Sequence, residues 1–142
     1  VIDGCDFYAI GSNAVTYHGS ATGLTVENST FTGIGGTAVY LYGSGATVTN
    51  NTMTNIGTEY SGGAVSIDGN NNTVSHNDIS YCTRWGINMC GAGTSNGYGN
   101  ILEYNDISHC NTRTSDSGLI YLYRMDGTSA SRTNIIRYNA IQ

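Results

Sequence analysis

Apolar and polar residues alternate along this chain in short words that recur at regular intervals. The first word has seven residues, and its second and seventh positions are apolar in all six copies. The copies are VIDGCDF from Val1, TVENSTF from Thr25, TVTNNTM from Thr47, TVSHNDI from Thr73, ILEYNDI from Ile101 and IIRYNAI from Ile135. An internal repeat with a period of tens of residues indicates an architecture built by stacking similar units.

A second word follows each of the first five copies, and its second and fourth positions are always apolar. The copies are AVTYHG from Ala14, AVYLYG from Ala38, AVSIDG from Ala64, GINMCG from Gly86 and LIYLYR from Leu119. Alternation with a period of two over six residues predicts a strand with one buried face.

The spacing of the copies predicts how these strands assemble. Successive first words begin 22 to 34 residues apart, and no stretch shows a helical period. A unit of this length cannot bury its own apolar face, so the units must stack, and stacked strands that run the same way form parallel sheets. We therefore predict an all-β fold, a single β-solenoid domain over residues 1–142 with about five to six coils and an axis of about 25 Å.

Asparagine dominates the fifth position of the first word. Asn51, Asn77, Asn105 and Asn139 recur there, after Cys5 and Ser29 in the earliest copies. An asparagine at a bend can adopt a left-handed conformation, and amides one coil apart can hydrogen-bond along the axis. We interpret these asparagines as structural, with a ligand-binding role as the alternative.

The four cysteines, Cys5, Cys82, Cys90 and Cys110, form no C-x-x-C pair, and we predict no metal site. In the repeat register, Cys82 and Cys110 occupy the column that holds isoleucine in earlier coils. A free cysteine behaves as a small apolar residue in a core. Two free thiols are the preferred interpretation, while a disulfide between neighbouring coils remains open.

Charge and composition exclude several classes of partner. The chain has 20 glycines, no proline, five Lys and Arg in total and a net charge of −5, so it lacks the basic clusters that bind nucleic acids. Its apolar runs are far too short for a membrane span. No signal peptide is visible, as in a mature secreted protein, and we expect a secreted or cell-surface location.

The words TVSHNDI, ILEYNDI and IIRYNAI resemble the repeats of right-handed parallel β-helix proteins, the superfamily that includes pectate lyases, polygalacturonases and phage tailspikes. The resemblance covers the whole chain and implies a right-handed parallel β-helix. The segment DSGLIY from Asp116, followed by Tyr123 and Arg124, is similar to a segment of β-helix glycoside hydrolases that act on polysaccharides. That likeness implies carboxylates near this turn.

The ends of the sequence bear on how complete the solenoid is. The chain begins and ends at a first word, and it carries no amphipathic helix to cap the terminal coils. Solenoids need such covers because open sheet edges bind other chains. We therefore expect missing flanking coils or caps in a longer solenoid, with functional residues among them.

One outer face of the predicted solenoid carries aromatic and polar side chains. If the apolar positions of the second word point inward, the third and fifth positions point to solvent. The two outer columns are Thr16, Tyr40, Ser66, Asn88 and Tyr121, and His18, Tyr42, Asp68, Cys90 and Tyr123. Rings beside polar groups suit sugars, so His18, Tyr42, Asn88, Tyr121 and Tyr123 are candidate substrate-binding residues. The alternative is that tyrosine simply favours strands.

The longest loops lie at one edge of this face, at 57–61, 83–85 and 112–116. Long loops on a regular scaffold carry binding functions, which makes this edge the candidate cleft. Trp85 is a candidate platform for sugar stacking, or alternatively a cover for the core. Arg84 and Arg124 are further candidate substrate-binding residues at the same edge.

Glycoside hydrolysis usually uses two carboxyl groups. Asp68 and Asp116 are the first candidates, with Asp126 and Glu59 as substitutes. Two coils of spacing place Asp68 and Asp116 about 10 Å apart, near the upper end of the range for inverting enzymes. The alternative is that all of these acids are solvated turn residues.

The leading hypothesis is therefore a carbohydrate-active module that hydrolyses a polysaccharide or oligosaccharide without a cofactor. A non-catalytic glycan-binding, adhesin or structural segment is the first alternative. A polysaccharide lyase is the second alternative, with an arginine base and calcium.

Overall fold

A computed structural model describes residues 1–19, 23–90, 97–125 and 132–142, and these form a parallel β-helix of three sheets. Sheet 1 contains β1 (Ile2–Asp3), β4 (Thr25–Glu27), β7 (Thr47–Thr49), β10 (Thr73–Ser75), β13 (Ile101–Glu103) and β16 (Ile135–Arg137). Sheet 2 contains β2 (Asp6–Tyr8), β5 (Thr30–Ile34), β8 (Thr52–Ile56), β11 (Asp78–Cys82), β14 (Asp106–Ser108) and β17 (Ala140–Ile141). Sheet 3 contains β3 (Val15–Tyr17), β6 (Val39–Leu41), β9 (Val65–Ile67), β12 (Ile87–Cys90) and β15 (Ile120–Tyr123).

Every pair of neighbouring strands is parallel, and the register is the one that the repeat words predict. In sheet 1, Val48 pairs with Val74, which pairs with Leu102. In sheet 3, Val65 pairs with Ile87. Each coil thus places the same word position above its counterpart in the preceding coil, which confirms the all-β solenoid.

The core is a column of apolar side chains enclosed by the three sheets. Its fully buried members include Phe31, Leu41, Met53, Ile67 and Ile87. Phe31 stacks on Phe7 with ring centroids 4.6 Å apart. The inward-facing residues of β16 and β17 are partly exposed because no later strand in the described residues covers them.

The fifth-position asparagines form a continuous ladder inside the corner between sheets 1 and 2. The Asn51 side-chain amide donates to Asn77 Oδ1 at 3.0 Å, and Asn77 donates to Asn105 Oδ1 at 2.9 Å. Asn105 donates in turn to Asn139 Oδ1 at 2.9 Å. Each amide also satisfies main-chain groups of neighbouring coils, which confirms the structural role predicted for these residues.

The left-handed conformation lies at the fourth position of the first word, not at the fifth as we predicted. Asn28, Asn50, His76, Tyr104 and Tyr138 all have φ between 51° and 56°. The turn is completed one residue earlier than expected, so the following asparagine points its amide into the corner. The His76 and Tyr104 rings stack at 5.0 Å and those of Tyr104 and Tyr138 at 5.1 Å, which offsets the cost of a positive φ.

A second asparagine ladder closes the corner between sheets 3 and 1 and was not predicted. Asn72 Nδ2 donates to Asn100 Oδ1 at 3.2 Å, and the Asn100 main-chain N–H donates to Asn134 Oδ1 at 2.9 Å. Asn72 and Asn100 are both fully buried. These asparagines lie directly before the first word of the last three copies, one position outside the aligned word, and earlier copies carry Leu24 and Ala46 there.

All four cysteines are free thiols in the structure. Cys82 pairs in register with Ile56 and is fully buried, and Cys110 is buried in the next coil. Each thiol donates to a main-chain carbonyl, Cys82 to Ser80 at 3.9 Å and Cys110 to Ser108 at 3.3 Å. The interaction between the two thiols raises the pKa of Cys82 and lowers that of Cys110. They therefore fill the isoleucine column as predicted. No helix within the described ranges is long and apolar enough to cross a membrane.

Candidate functional site

A pocket of about 340 Å³ opens at the loop edge of sheet 3, between the fourth and fifth coils. Arg84 and Trp85 precede β12, and Asn88 and Cys90 lie on that strand. Asp116 precedes β15, and Tyr121 and Tyr123 lie on it. Six of these seven are candidate substrate-binding or catalytic residues from the sequence.

Strand register explains why these side chains converge. Asn88 pairs with Tyr121 and Cys90 pairs with Tyr123 across β12 and β15. The intervening Ile87 and Met89 are fully buried in the core, so alternate residues of β12 face outward into the pocket. The second word therefore determines both the core and the floor of the pocket.

The loops that wall the pocket are tied to one another by hydrogen bonds across coils. Thr83 Oγ1 donates to the Gly57 carbonyl at 2.8 Å, and the Arg113 main-chain N–H donates to the Thr83 carbonyl at 3.0 Å. The Arg113 guanidinium also donates to the Thr58 carbonyl at 3.2 Å. These bonds link the segments 57–61, 83–85 and 112–116, which confirms that the three predicted loops form one edge.

Trp85 is held against the preceding coil by close backbone packing. A Cβ atom added at Gly63 would lie 2.7 Å from the Trp85 carbonyl oxygen and 3.1 Å from its Cβ. Any larger residue at position 63 would therefore displace Trp85. On the other side, the Trp85 and Tyr121 rings lie 5.9 Å apart between centroids and are tilted by 40°.

An ion pair crosses the mouth of the pocket. Arg84 Nη2 lies 3.3 Å from Asp116 Oδ2, and Arg84 Nε donates to the Asp116 carbonyl at the same distance. The Tyr121 hydroxyl donates to the other carboxylate oxygen at 3.3 Å. The Arg84 guanidinium lies 3.9 Å from the Trp85 ring centroid, so one face of this ring is occupied rather than open to a sugar.

Two polar atoms of the pocket residues are buried without a hydrogen-bond partner in the structure. They are Trp85 Nε1, which can only donate, and Asn88 Oδ1, which accepts. Asn88 is 7 % exposed. Burying an unpaired polar group costs about 1–3 kcal/mol. Both atoms are shielded from solvent in this structure, so a ligand would meet them only if the Trp85 and Asn88 side chains turned toward the pocket that these residues line.

Two titratable groups of the pocket, Cys90 and Tyr121, have raised pKa values. Burial and the Asp68 carboxylate raise the pKa of Cys90, while Arg124 acts in the opposite direction. Desolvation, followed by the neighbouring Asp116 charge, raises the pKa of Tyr121. The acidic and basic side chains of the lining, Asp116 and Arg84, carry opposite formal charges.

Asp68 lies on the same outer face but does not line the pocket. It follows β9, is 8 % exposed, and accepts a hydrogen bond from the Tyr40 hydroxyl at 2.9 Å. Burial raises the pKa of Asp68, and the Tyr40 hydrogen bond partly opposes that shift. Asp116 is instead the carboxylate within the pocket, and its side chain is 73 % exposed.

The expectation that the outer columns are exposed was wrong for three residues. Ser66, Asp68 and Asn88 are all less than 9 % exposed. Strands in adjacent coils lie about 4.8 Å apart, so a larger neighbour covers a shorter side chain in the same column. Because they are buried, these polar groups need hydrogen-bond partners in place of water.

Other candidate residues lie beside the pocket or away from it. The His18 and Tyr42 rings stack at 4.4 Å, and Tyr42 also stacks on Tyr40 at 4.1 Å, in the first two coils. Arg124 lies over the Tyr123 ring at 5.0 Å, next to the pocket. Asp126 lies outside the described residues. Cys90 lines the pocket although the sequence did not single it out, and its place in the column of Tyr123 was the available signal.

Comparison with known proteins bears on the fold of this site. The family described as right-handed β-helix region matches residues 13–142. The chain belongs to the right-handed β-helix family. This membership confirms the handedness and is consistent with the pectate lyase and polygalacturonase-like superfamily. No curated protein and no solved structure matched this β-helix.

Proposed function

We propose that this β-helix binds a saccharide in the pocket between β12 and β15, as a secreted or cell-surface carbohydrate-active module. The observation that carries the proposal is a buried, unpartnered donor on Trp85 and acceptor on Asn88 beside the rings of Tyr121 and Tyr123. Sugars match this chemistry because their hydroxyls both donate and accept, while their C–H faces pack on aromatic rings.

The pocket is also held in place, as a binding site requires. Its floor belongs to two paired strands, and hydrogen bonds connect its loops across three coils. A preformed site loses little conformational entropy when a ligand binds, because few side chains need to be ordered. The Trp85 and Asn88 side chains would still have to turn for their buried, unpartnered atoms to meet a ligand.

Polysaccharide hydrolysis is the second candidate, and Asp116 is the observation that favours it. Its carboxylate lies in the pocket, held by Arg84 and Tyr121. Asp68 would have to supply the second carboxyl group, because its raised pKa suits an acid. Asp68 lies one coil before Cys90 in the same column and does not line the pocket, so binding without hydrolysis is the better-supported function.

The experiment is a glycan array followed by a reducing-sugar assay on the bound glycans. The wild-type chain should bind a subset of glycans, and Asn88→Leu should weaken that binding about tenfold because it removes the unpartnered acceptor. The chain should fold normally, since Asn88 Oδ1 contacts no protein donor. Failure of the wild-type chain to bind any glycan would refute the proposal.

The same assay separates binding from hydrolysis. Sugar release by the wild type that disappears in Asp68→Asn or Asp116→Asn would establish hydrolysis. Asp78→Asn is the matched control, because it removes the same charge from the exposed face of sheet 2. Binding without release in all of these variants would leave a glycan-binding module.

A further inference from the structure

The charges at the pocket mouth bear on which saccharides can enter. Arg84 is the cationic side chain of the lining, and it already forms an ion pair with Asp116 at 3.3 Å. The Asp116 side chain is 73 % exposed, so its charge faces an incoming ligand, whereas Arg84 is 28 % exposed and lies against Trp85. An anionic ligand would meet the carboxylate before it reached the guanidinium.

The unpartnered atoms impose a second requirement. Asn88 Oδ1 needs a donor and Trp85 Nε1 needs an acceptor. A sugar hydroxyl can supply both functions, but an ionised carboxylate can only accept. A carboxylate could accept from Trp85 Nε1 and Asn88 Nδ2 but would leave the Asn88 Oδ1 acceptor unpaired, whereas a hydroxyl could satisfy it.

The charges around the pocket do not favour an anionic ligand either. Asp68 raises and Arg124 lowers the pKa of Cys90, with the larger effect from Asp68, so the floor of the pocket has no excess of positive charge. The whole chain carries a net charge of −5, which repels polyanions at long range. Nothing in these charges favours an acidic ligand over a neutral one.

We infer that the pocket selects uncharged saccharides and that Asp116 determines this specificity by neutralising Arg84. The inference rests on the proposed saccharide-binding function and identifies the class of sugar. It makes Asp116 a specificity-determining residue in addition to a candidate acid. Replacing the Asp116 carboxylate by an amide would expose the positive charge of Arg84 and create a site for a carboxylate.

The geometry makes Asp116→Asn a clean test. Arg84 Nε donates to the main-chain carbonyl of residue 116, and that bond remains in the variant. Arg84 therefore keeps its position over Trp85 while it loses its countercharge. The probes are pairs of equal length and linkage that differ only at C6: mannotriose and trimannuronate, and cellotriose and its C6-oxidised triuronate.

Binding is measured by calorimetry at low and high salt. The wild type should bind the neutral member of at least one pair about tenfold more tightly than the uronate. Asp116→Asn should tighten uronate binding about three- to tenfold, and the gain should shrink at high salt. The double variant Arg84→Gln/Asp116→Asn should lose this gain, and Asp78→Asn should behave as the wild type.

The outcomes separate this inference from the function on which it rests. Equal or tighter binding of uronates by the wild type overturns the selection of uncharged sugars but leaves saccharide binding intact. An Asp116→Asn variant that gains no affinity for uronates overturns the role of Asp116. If neither member of any pair binds, and the glycan array also yields no ligand, both the inference and the proposed function are wrong.

Discussion

The asparagine ladder provides the sharpest test of how the coils are held together, and Asn77→Ala is the perturbation. Asn77 is almost fully buried at the middle of the ladder. Alanine removes every side-chain hydrogen bond at this position and leaves the strands of sheets 1 and 2 otherwise unchanged. The variant therefore isolates the contribution of one ladder step.

The magnitude follows from the contacts that are lost. The Asn77 amide donates to Val48 O, Ser75 O and Asn105 Oδ1 at 2.9–3.0 Å. Its oxygen accepts from the main-chain N–H and the side-chain amide of Asn51, both at 3.0 Å. The Asn51 N–H is then left buried without a partner, which costs about 1–3 kcal/mol, and each other bond contributes about 0.5–1.5 kcal/mol. Some partners keep a second bond, so we expect a total loss of about 3–5 kcal/mol.

The assay is urea denaturation followed by far-UV circular dichroism and by Trp85 fluorescence. Asn55→Gly is the control, because Asn55 is exposed and has φ 56°, a conformation that glycine adopts without strain. We expect the control to change the free energy of unfolding by less than about 1 kcal/mol. A loss in Asn77→Ala no larger than that of the control would refute the ladder as a main source of stability.

Three further predictions concern titration, backbone conformation and thiol chemistry. The raised pKa of Asp68 means that the folded state binds the carboxyl proton more tightly than the unfolded state does. Stability therefore falls as pH rises from the usual carboxyl range through the raised pKa. Asp68→Asn should raise the urea midpoint at pH 7, and the difference from the wild type should vanish in acid. His76→Val should lower the free energy of unfolding by about 1–2 kcal/mol relative to His76→Asn, because a β-branched residue opposes φ 55°; equal denaturation midpoints would contradict the left-handed assignment. A thiol reagent should label Cys5 and Cys90 in the native chain and the two buried thiols only after unfolding, as counted by mass spectrometry; rapid native labelling of all four would contradict the packed core.

The fold was largely predictable because one short pattern repeats in a fixed register. Apolar positions two and seven of the first word stack on their counterparts in every coil, as Val48, Val74 and Leu102 show. The ladder from Asn51 to Asn139 was predictable for the same reason. The second ladder, through Asn72 and Asn100, was missed because it lies one position before the aligned word and is absent from the earlier copies.

The site was only partly predictable because it depends on contacts between coils. The register brought Asn88, Tyr121 and Tyr123 together as the sequence indicated. The burial of Asp68 depends on the size of neighbouring side chains, which periodicity does not report. The stacking of Arg84 on Trp85 depends on loop conformation, for which the repeat carries no signal.

The most direct test of saccharide binding uses Trp85, the one tryptophan of the chain, as a reporter within the pocket. Its emission should be followed while the neutral trisaccharides and the glycans selected on the array are added. We expect a saturable change in Trp85 fluorescence, with an affinity about tenfold weaker in Asn88→Leu. Glycan binding that leaves Trp85 emission unchanged, or that is equally tight in Asn88→Leu, would contradict the placement of the site in this pocket.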